Sequence, residues 1–214
     1  MRTLVLTGCS PAMAEVHALT VESKRAWSAR HGYDFHEIRR WDAAPAIVWQ
    51  KMEWIQRMLA HYDEVVWLDA DAIVTNAVHS TTNLVETGRN DGAVIYASKD
   101  WGPCDAGAEW FWFNTGNMIV RVAPDWELLF EAMFRLGRER WWNTWGFEQS
   151  TLQALKRVAP WSRMIEVLPR AVLNAVPRSV QQGPDNAWHP VCFLAHITGV
   201  PNERRVEILK EGFE

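Results

Sequence analysis

The sequence predicts a single α/β domain on a mostly parallel sheet flanked by helices. Three observations carry this. Strand-like and helix-like patterns alternate from the first residues, as parallel βαβ units do. Several strands are near-continuous apolar runs, the pattern of strands covered on both faces. No linker, internal repeat or low-complexity segment divides the 214 residues, a length that suits one large domain.

The elements follow in order. Thr3 to Leu6 is a β-branched apolar run ending at Gly8 and reads as a first strand. Ser10-Pro11 fits an N-cap followed by proline at the first helical position. The helix it opens runs to about Arg30, with Gly32 as its C-cap. Tyr33 to Ile38 alternates as a second strand. Val48, Met52, Ile55, Leu59 and Tyr62 are spaced by three or four, one apolar stripe of a helix from Ile47 to Tyr62. Glu64 to Asp69 reads as a buried central strand, and Ala93 to Ala97 and Asn117 to Val122 as two more. Helices over Pro124–Arg138 and Phe147–Val158 follow, then a strand over Ile165–Leu168. Asn174 to Pro190, rich in Pro, Gln, Asn and Gly, reads as a long loop. Val191 to Ile197 is a last strand, and the charged tail from Asn202 to Glu214 a surface helix. The loops Lys99 to Phe113 and Arg140 to Gly146 are expected to shape a cleft. The domain divides into a nucleotide-binding half, 1–100, and an acceptor half with the tail, 101–214.

Composition narrows the function. The formal net charge of −4 argues against a nucleic-acid binder, which needs a basic face to neutralise phosphates. No apolar run approaches 18 residues, so no transmembrane helix is expected, nor a signal-peptide core after Met1-Arg2. Cys9, Cys104 and Cys192 are far apart and odd in number. They suggest a reducing, cytoplasmic setting rather than a disulfide framework. Oligomeric state is not legible. The abnormal number is 14 tryptophans, several times the usual share. Indoles stack on the C–H faces of sugar rings; the plain alternative for each is a place in the core.

The sharpest chemical feature is Trp67-Leu68-Asp69-Ala70-Asp71 at the end of the central strand. If the strand persists to residue 71, its period of two puts both carboxylates on one side. Such a pair repels unless a cation sits between, and Mn²⁺ or Mg²⁺ favours oxygen ligands with room left for phosphate. In open α/β sheets, ligands bind beyond the carboxyl ends of the strands. The alternative is a strand-end cap. His196 closes another apolar strand and reads either as a third metal ligand or as a satisfied core histidine. Arg204 and Arg205 follow, as a diphosphate clamp or a solvated tail. Asn114-Thr115-Gly116 reads as a tight turn before a strand, suited to sugar hydroxyls or to nothing more than turning. Glu148 and Gln149 open a helix, where an acidic residue is favoured.

Taken in order, these pieces resemble a known group. Trp49-Gln50-Lys51 on a helix, Val65 to Ala72 around the aspartate pair, Asn114-Thr115-Gly116, Glu148-Gln149-Ser150 and His196 to Gly199 are similar to the motifs of one glycosyltransferase family. It is the galactomannan galactosyltransferase, yeast mannosyltransferase and xyloglucan xylosyltransferase family. Lys24 and His31-Gly32-Tyr33 resemble its N-terminal helix and following strand. The likeness spans about residues 3 to 205. Its members usually carry serine, in plants, where this chain has Ala70, and Pro201 and Asn202 alter the spacing after His196 to Gly199. Eukaryotic members also have a Golgi anchor, whose counterpart is not seen here.

The resemblance implies a GT-A, Rossmann-like fold, a nucleotide-sugar donor (UDP-sugar first), a saccharide acceptor and transfer with retention. It implies Mn²⁺, or Mg²⁺, on Asp69, Asp71 and His196. Asn114 and Thr115 would lie beside the donor sugar, and Glu148 and Gln149 near the anomeric carbon as the catalytic pair. Lys51, Ala70, Gly199 and Arg204 would contact sugar or diphosphate. The base would rest near Thr7, Gly8 and Ile38. Trp110, Trp112, Trp142 and Trp145, with Trp101 and Trp141 nearby, are the candidates for acceptor stacking. Two other readings stand beside this one. A haloacid-dehalogenase-like phosphatase also has such an aspartate pair, but after its first strand. A non-catalytic carbohydrate-binding module would explain the tryptophans without chemistry.

Overall fold

The structure is a computed structural model and describes residues 1–42, 46–88, 90, 92–100, 113–144, 146–180 and 188–212. The first strand, β1 (Thr3–Gly8), is buried along its whole length. Pro11–Met13 forms a single 3-10 turn before α1 (Ala14–His31), so the helix starts three residues later than the Ser10-Pro11 signal suggests. Ser10 has extended backbone but makes no side-chain cap bond. Gly32 ends α1 in the left-handed region, φ 67°, where a side chain would be strained. β2 (Asp34–Ile38), α2 (Ile47–Leu59) and β3 (Glu64–Leu68) follow.

The main sheet has the order β2-β1-β3-β6-β5-β7, completed by β5 (Ile95–Lys99), β6 (Phe113–Arg121) and β7 (Ile165–Leu168). Five strands run one way. Among the described residues of this sheet, β6 alone is reversed, antiparallel to both β3 and β5. It re-enters the sheet at the end where β5 leaves it, so Phe113 pairs with Lys99. That reversal sets the site: the start of β6 lies beside the end of β3, with Asn117 opposite Leu68. Asn114-Thr115-Gly116 is therefore strand, at a register shift where Ala97 pairs with Met118 and Ser98 with Asn114, and not the tight turn its composition suggests.

Alternation along the strands divides the core. Leu4, Leu6, Val65 and Trp67 face α2, α4 (Trp126–Arg140) and α5 (Phe147–Lys156); Val5, Val66 and Leu68 face the layer holding Trp27 of α1. Each such side chain is worth roughly 1.5–3 kcal/mol of burial. Trp27, Trp49 and Trp67 are fully buried, so part of the tryptophan excess is core. A second, two-stranded sheet pairs β4 (Ala72–Val74) with β8 (Leu194–His196). The last apolar strand is thus shorter than its sequence run and lies outside the main sheet. The short helices α3 (Thr81–Val85) and α6 (Arg170–Leu173) lack a periodic signature long enough to read, and α7 (Asn202–Glu211) is the charged tail helix. Among the described residues, no helix is long and apolar enough to cross a membrane.

Candidate active site and metal centre

β3 stops at Leu68, before the aspartates. The Asp69 N–H donates to Gly116 O at 2.9 Å and to Asn117 Oδ1 at 3.2 Å; the Ala72 N–H closes a turn onto Asp69 O at 3.1 Å. The two carboxylates converge through this turn, not through strand periodicity. Pairing of Ala72 with His196 across β4 and β8 then brings the imidazole alongside. One ligand atom each from Asp69, Asp71 and His196 lies within 4.8 Å of the others.

The imidazole is oriented from behind. Asn174 donates its amide to Lys99 O at 3.1 Å, leaving its Oδ1 to accept from His196 Nδ1 at 2.8 Å. Nε2 then faces the aspartates, 3.3 Å from Asp71 Oδ1. Two carboxylates and an imidazole with a fixed tautomer are a donor set that fits a divalent cation. Gly116 leaves the space: a Cβ there would stand 2.8 Å from Asp69 Oδ2, Asn114 Oδ1 and His196 Cε1.

The electrostatics fit the same reading. Burial pushes the Asp69 carboxyl above the usual range, with Asp71 adding to it against the pull of Lys51. Burial acts the same way on Asp71, but His196 and Arg205 outweigh it and hold that carboxyl low. Burial also disfavours a charged His196, yet Asp71 and Asp69 overcome it and raise the imidazole. A cation would relieve the repulsion between the aspartates.

Two cavities flank the aspartates. One, of about 210 Å³, is lined by Lys51, Asn114, Thr115, Glu148, Gln149 and His196, among others. The Lys51 ammonium lies 2.7 Å from Glu148 Oε1 and donates to Thr115 O at 3.1 Å. Burial works against this ammonium, but Glu148 and Asp69 more than offset it and raise its pKa. The Thr115 hydroxyl donates to Glu148 Oε1 at 2.9 Å, and the Thr115 N–H to Gln149 Oε1 at 3.1 Å. Gln149 in turn donates to Asp100 Oδ2 at 3.3 Å. The other cavity, of about 330 Å³, is lined by Gly8, Cys9, Met13, Ala70, Asp71 and Arg205, among others. Gly8 is required there, since a Cβ would fall 2.7 Å from Trp41 and 2.9 Å from Ile38 O.

Not every residue singled out reaches these cavities. Thr7 is fully buried beneath the turn, its hydroxyl donating to Leu68 O at 2.6 Å. Ile38 packs in the core behind Gly8. Gly199 has φ 76°, and the wall beside it is made by Thr198. Arg204 is exposed and paired with Glu207 at 3.0 Å. Arg205, one position on, turns inward, with Nε 3.2 Å from Asp71 Oδ2. The start of α7 sets which of the two arginines faces the site, and sequence gives no such phase. Trp142 is stacked on Trp49 at 4.8 Å and accepts from its indole N–H, packing against the core rather than lining either cavity. Trp141 borders a separate groove with Arg140 and Gln153. Trp101, Trp110, Trp112 and Trp145 lie outside the described residues. Sequence reasoning also passed over Asn174 and Asp100, which stand in loop segments whose composition carries no signal.

Residues 2–100 match the model of the galactosyl transferase GMA12/MNN10 family. No curated protein matches the chain in sequence. Among solved structures, it is similar to a glycosyltransferase involved in the glycosylation of the major capsid of PBCV-1. That protein is 19% identical with a TM-score of 0.75, over 99% of this chain and 100% of the other. The galactosyltransferase LgtC, solved with donor and acceptor sugar analogs, is 14% identical with a TM-score of 0.65, over 97% and 95%. Mouse xyloside xylosyltransferase 1 is 12% identical with a TM-score of 0.56, over 91% and 96%. These likenesses support neither the phosphatase nor the non-catalytic module; at such identities they speak for the fold, which is GT-A. Residues 2–100, the Asp69–Asp71 turn among them, are thus similar to the galactosyl transferase GMA12/MNN10 family, and the chain shares its fold with the glycosyltransferases named above.

Proposed function

We propose that this enzyme moves a hexosyl or pentosyl group from a nucleotide-sugar, a UDP-sugar in the first place, to a saccharide acceptor, with retention of anomeric configuration. The observation that carries this is the pair of cavities meeting at Asp69, with Asp71 in the wall of the second. One side offers a cationic wall, Arg205; the other offers hydroxyl-binding groups over a carboxylate. A divalent cation, Mn²⁺ or Mg²⁺, held by Asp69, Asp71 and His196 would neutralise charge developing on the diphosphate. Arg205 orients that diphosphate, and Gly8 gives the nucleotide close approach to the backbone. Asn114 and Thr115 lie against the donor sugar.

Glu148 supplies negative charge where the sugar becomes positive, the arrangement that lowers a barrier most when fixed in advance. Its Oε1 is already bonded to Lys51 and Thr115. That engagement weakens it as a nucleophile and favours attack by the acceptor hydroxyl on the face the nucleotide leaves. Gln149 is an amide and a poor nucleophile; it holds the Thr115 backbone in place. The first 100 residues act as the nucleotide half, and the acceptor half follows. Free Cys9 and Cys192 suit a reducing, cytoplasmic setting.

Calorimetry with a panel of UDP- and GDP-sugars, with Mn²⁺ and with chelator, tests the reading. Metal-dependent binding of a nucleoside diphosphate, lost in Asp71→Asn, is the expected result. Binding of free saccharide with none of nucleotide would replace the enzyme with a sugar-binding module.

A further inference from the structure

The side of the metal turn away from the cavities carries an arrangement that transfer chemistry alone does not call for. Lys24, in the middle of α1, is wholly shut off from solvent, at 0% exposure. Among the described residues, no carboxylate lies within ion-pair distance of it. Its three ammonium hydrogens have three acceptors: Asp69 O at 2.6 Å, Thr7 Oγ1 at 3.3 Å and Thr20 Oγ1 at 3.3 Å. The two hydroxyls then pass bonds onward. Thr7 Oγ1 donates to Leu68 O at 2.6 Å, and Thr20 Oγ1 to Ala70 O at 2.6 Å.

Three consecutive backbone carbonyls, Leu68, Asp69 and Ala70, are therefore held by one hub of three side chains. The next carbonyl, Asp71 O, accepts from the Ile197 N–H at 2.9 Å. Ser23, on the same helix face, accepts from the Val74 N–H at 3.0 Å and continues the seam along β4. A space-filling role would be met by methionine or leucine at lower cost, since burying an ammonium without a carboxylate in direct contact is expensive. What lysine adds is three directed donors at the one place where strand geometry has ended and a turn must be held.

We propose that Lys24, with Thr7 and Thr20, is a positioning residue that fixes the backbone of the Asp69–Asp71 turn and so sets the separation of the two carboxylates that grip the cation. The proposal rests on the metal reading of those aspartates. It assigns Lys24 no contact with substrate. Its effect reaches the reaction through metal affinity, where outer contacts of this kind are worth about 10- to 100-fold.

The test is Lys24→Met, which keeps length and removes all three donors, beside Thr20→Val, which removes the bond to Ala70 O and one of the three acceptors of Lys24. Mn²⁺ affinity is read on the full-length chain by paramagnetic resonance of the free ion, with UDP present as the probe. Circular dichroism and thermal melting report the fold. The expected result is a folded Lys24→Met chain whose Mn²⁺ dissociation constant rises about 10- to 100-fold, with a smaller rise in Thr20→Val. Donor hydrolysis should recover toward the wild-type kcat as Mn²⁺ is raised. If Lys24→Met does not fold, Thr20→Val decides alone. Variants that melt earlier yet bind Mn²⁺ as the wild type does would overturn the positioning role and leave the metal reading intact. A wild-type chain that binds no Mn²⁺ beside UDP would overturn both.

Discussion

Gly116→Ala is the sharpest test of the proposed cation site. One methyl group is added to β6, where the backbone runs closest to the three ligands. Its carbon would sit 2.8 Å from Asp69 Oδ2, Asn114 Oδ1 and His196 Cε1, whereas ordinary contact begins near 3.4 Å. Each neighbour would have to give about 0.6 Å, several times the ±0.2 Å that metal–ligand distances tolerate. None is free to do so cheaply. Asn114 Oδ1 accepts from the Gly116 N–H at 2.7 Å, His196 is held by Asn174 at 2.8 Å, and Asp69 accepts from the Trp67 indole N–H. Overpacking of this kind costs about 1–3 kcal/mol of stability, so the domain should remain folded with a lower melting temperature. Mn²⁺ affinity should fall by at least about 100-fold, or roughly 2.7 kcal/mol, because the ligands themselves move. Calorimetric titration of Mn²⁺ in the presence of UDP, paired with a thermal melt, reads both quantities. A folded Gly116→Ala chain with unchanged Mn²⁺ affinity would refute the placement of the cation among these side chains.

Lys51 and Glu148 form an ion pair with only 4% and 5% of their side chains exposed. Lys51→Met alone should cost about 3–5 kcal/mol by urea unfolding, because a charge is left buried without its partner; adding Glu148→Leu should restore most of that stability but no activity. Arg205→Ala should weaken UDP binding in Mn²⁺ about 10- to 150-fold, on the order of 1.5–3 kcal/mol for a charged hydrogen bond; Arg204→Ala should change it by less than about 0.5 kcal/mol. Equal effects of the two would reverse the assignment of the inward arginine. Burial lowers the Lys24 ammonium from 10.5 to about 7 in the fold. Between those values the unfolded chain binds more protons than the native one, so metal-free stability should rise with pH across that window, by up to roughly 5 kcal/mol. Urea unfolding in chelator from pH 6 to 10 should show this slope in the wild type and its loss in Lys24→Met.

Where periodicity is long, sequence and structure agree. The stripe from Val48 to Leu59 is α2, the run Glu64–Leu68 is β3, and Gly32 ends α1 in the conformation its lack of a side chain allows. These are local properties, decided by spacing and backbone sterics. Asp69, Asp71 and His196 also come together as the motif order suggests, yet for a reason periodicity does not contain. The strand is over before Asp69, and a turn held from both sides aims the carboxylates. The reversed direction of β6 was illegible because a strand's hydrophobic pattern is the same whichever way it runs. Asn114-Thr115-Gly116 reads as a turn because polar and glycine residues are punctuation, while here they form an irregular stretch of β6 that lines a cavity.

What the sequence determined by itself is the layered α/β architecture, the identity of the carboxylates and imidazole, and the family likeness, all of which follow from residue type and local period. Only the tertiary structure decided which side chains meet. It chose Arg205 over Arg204, spent Trp27, Trp49 and Trp67 on the core, and recruited Lys24 and Asn174 from segments far away in the chain. The physical reason is that such partners are fixed by helix phase and strand direction, which depend on the packing of the whole domain and leave no mark on the residues nearby.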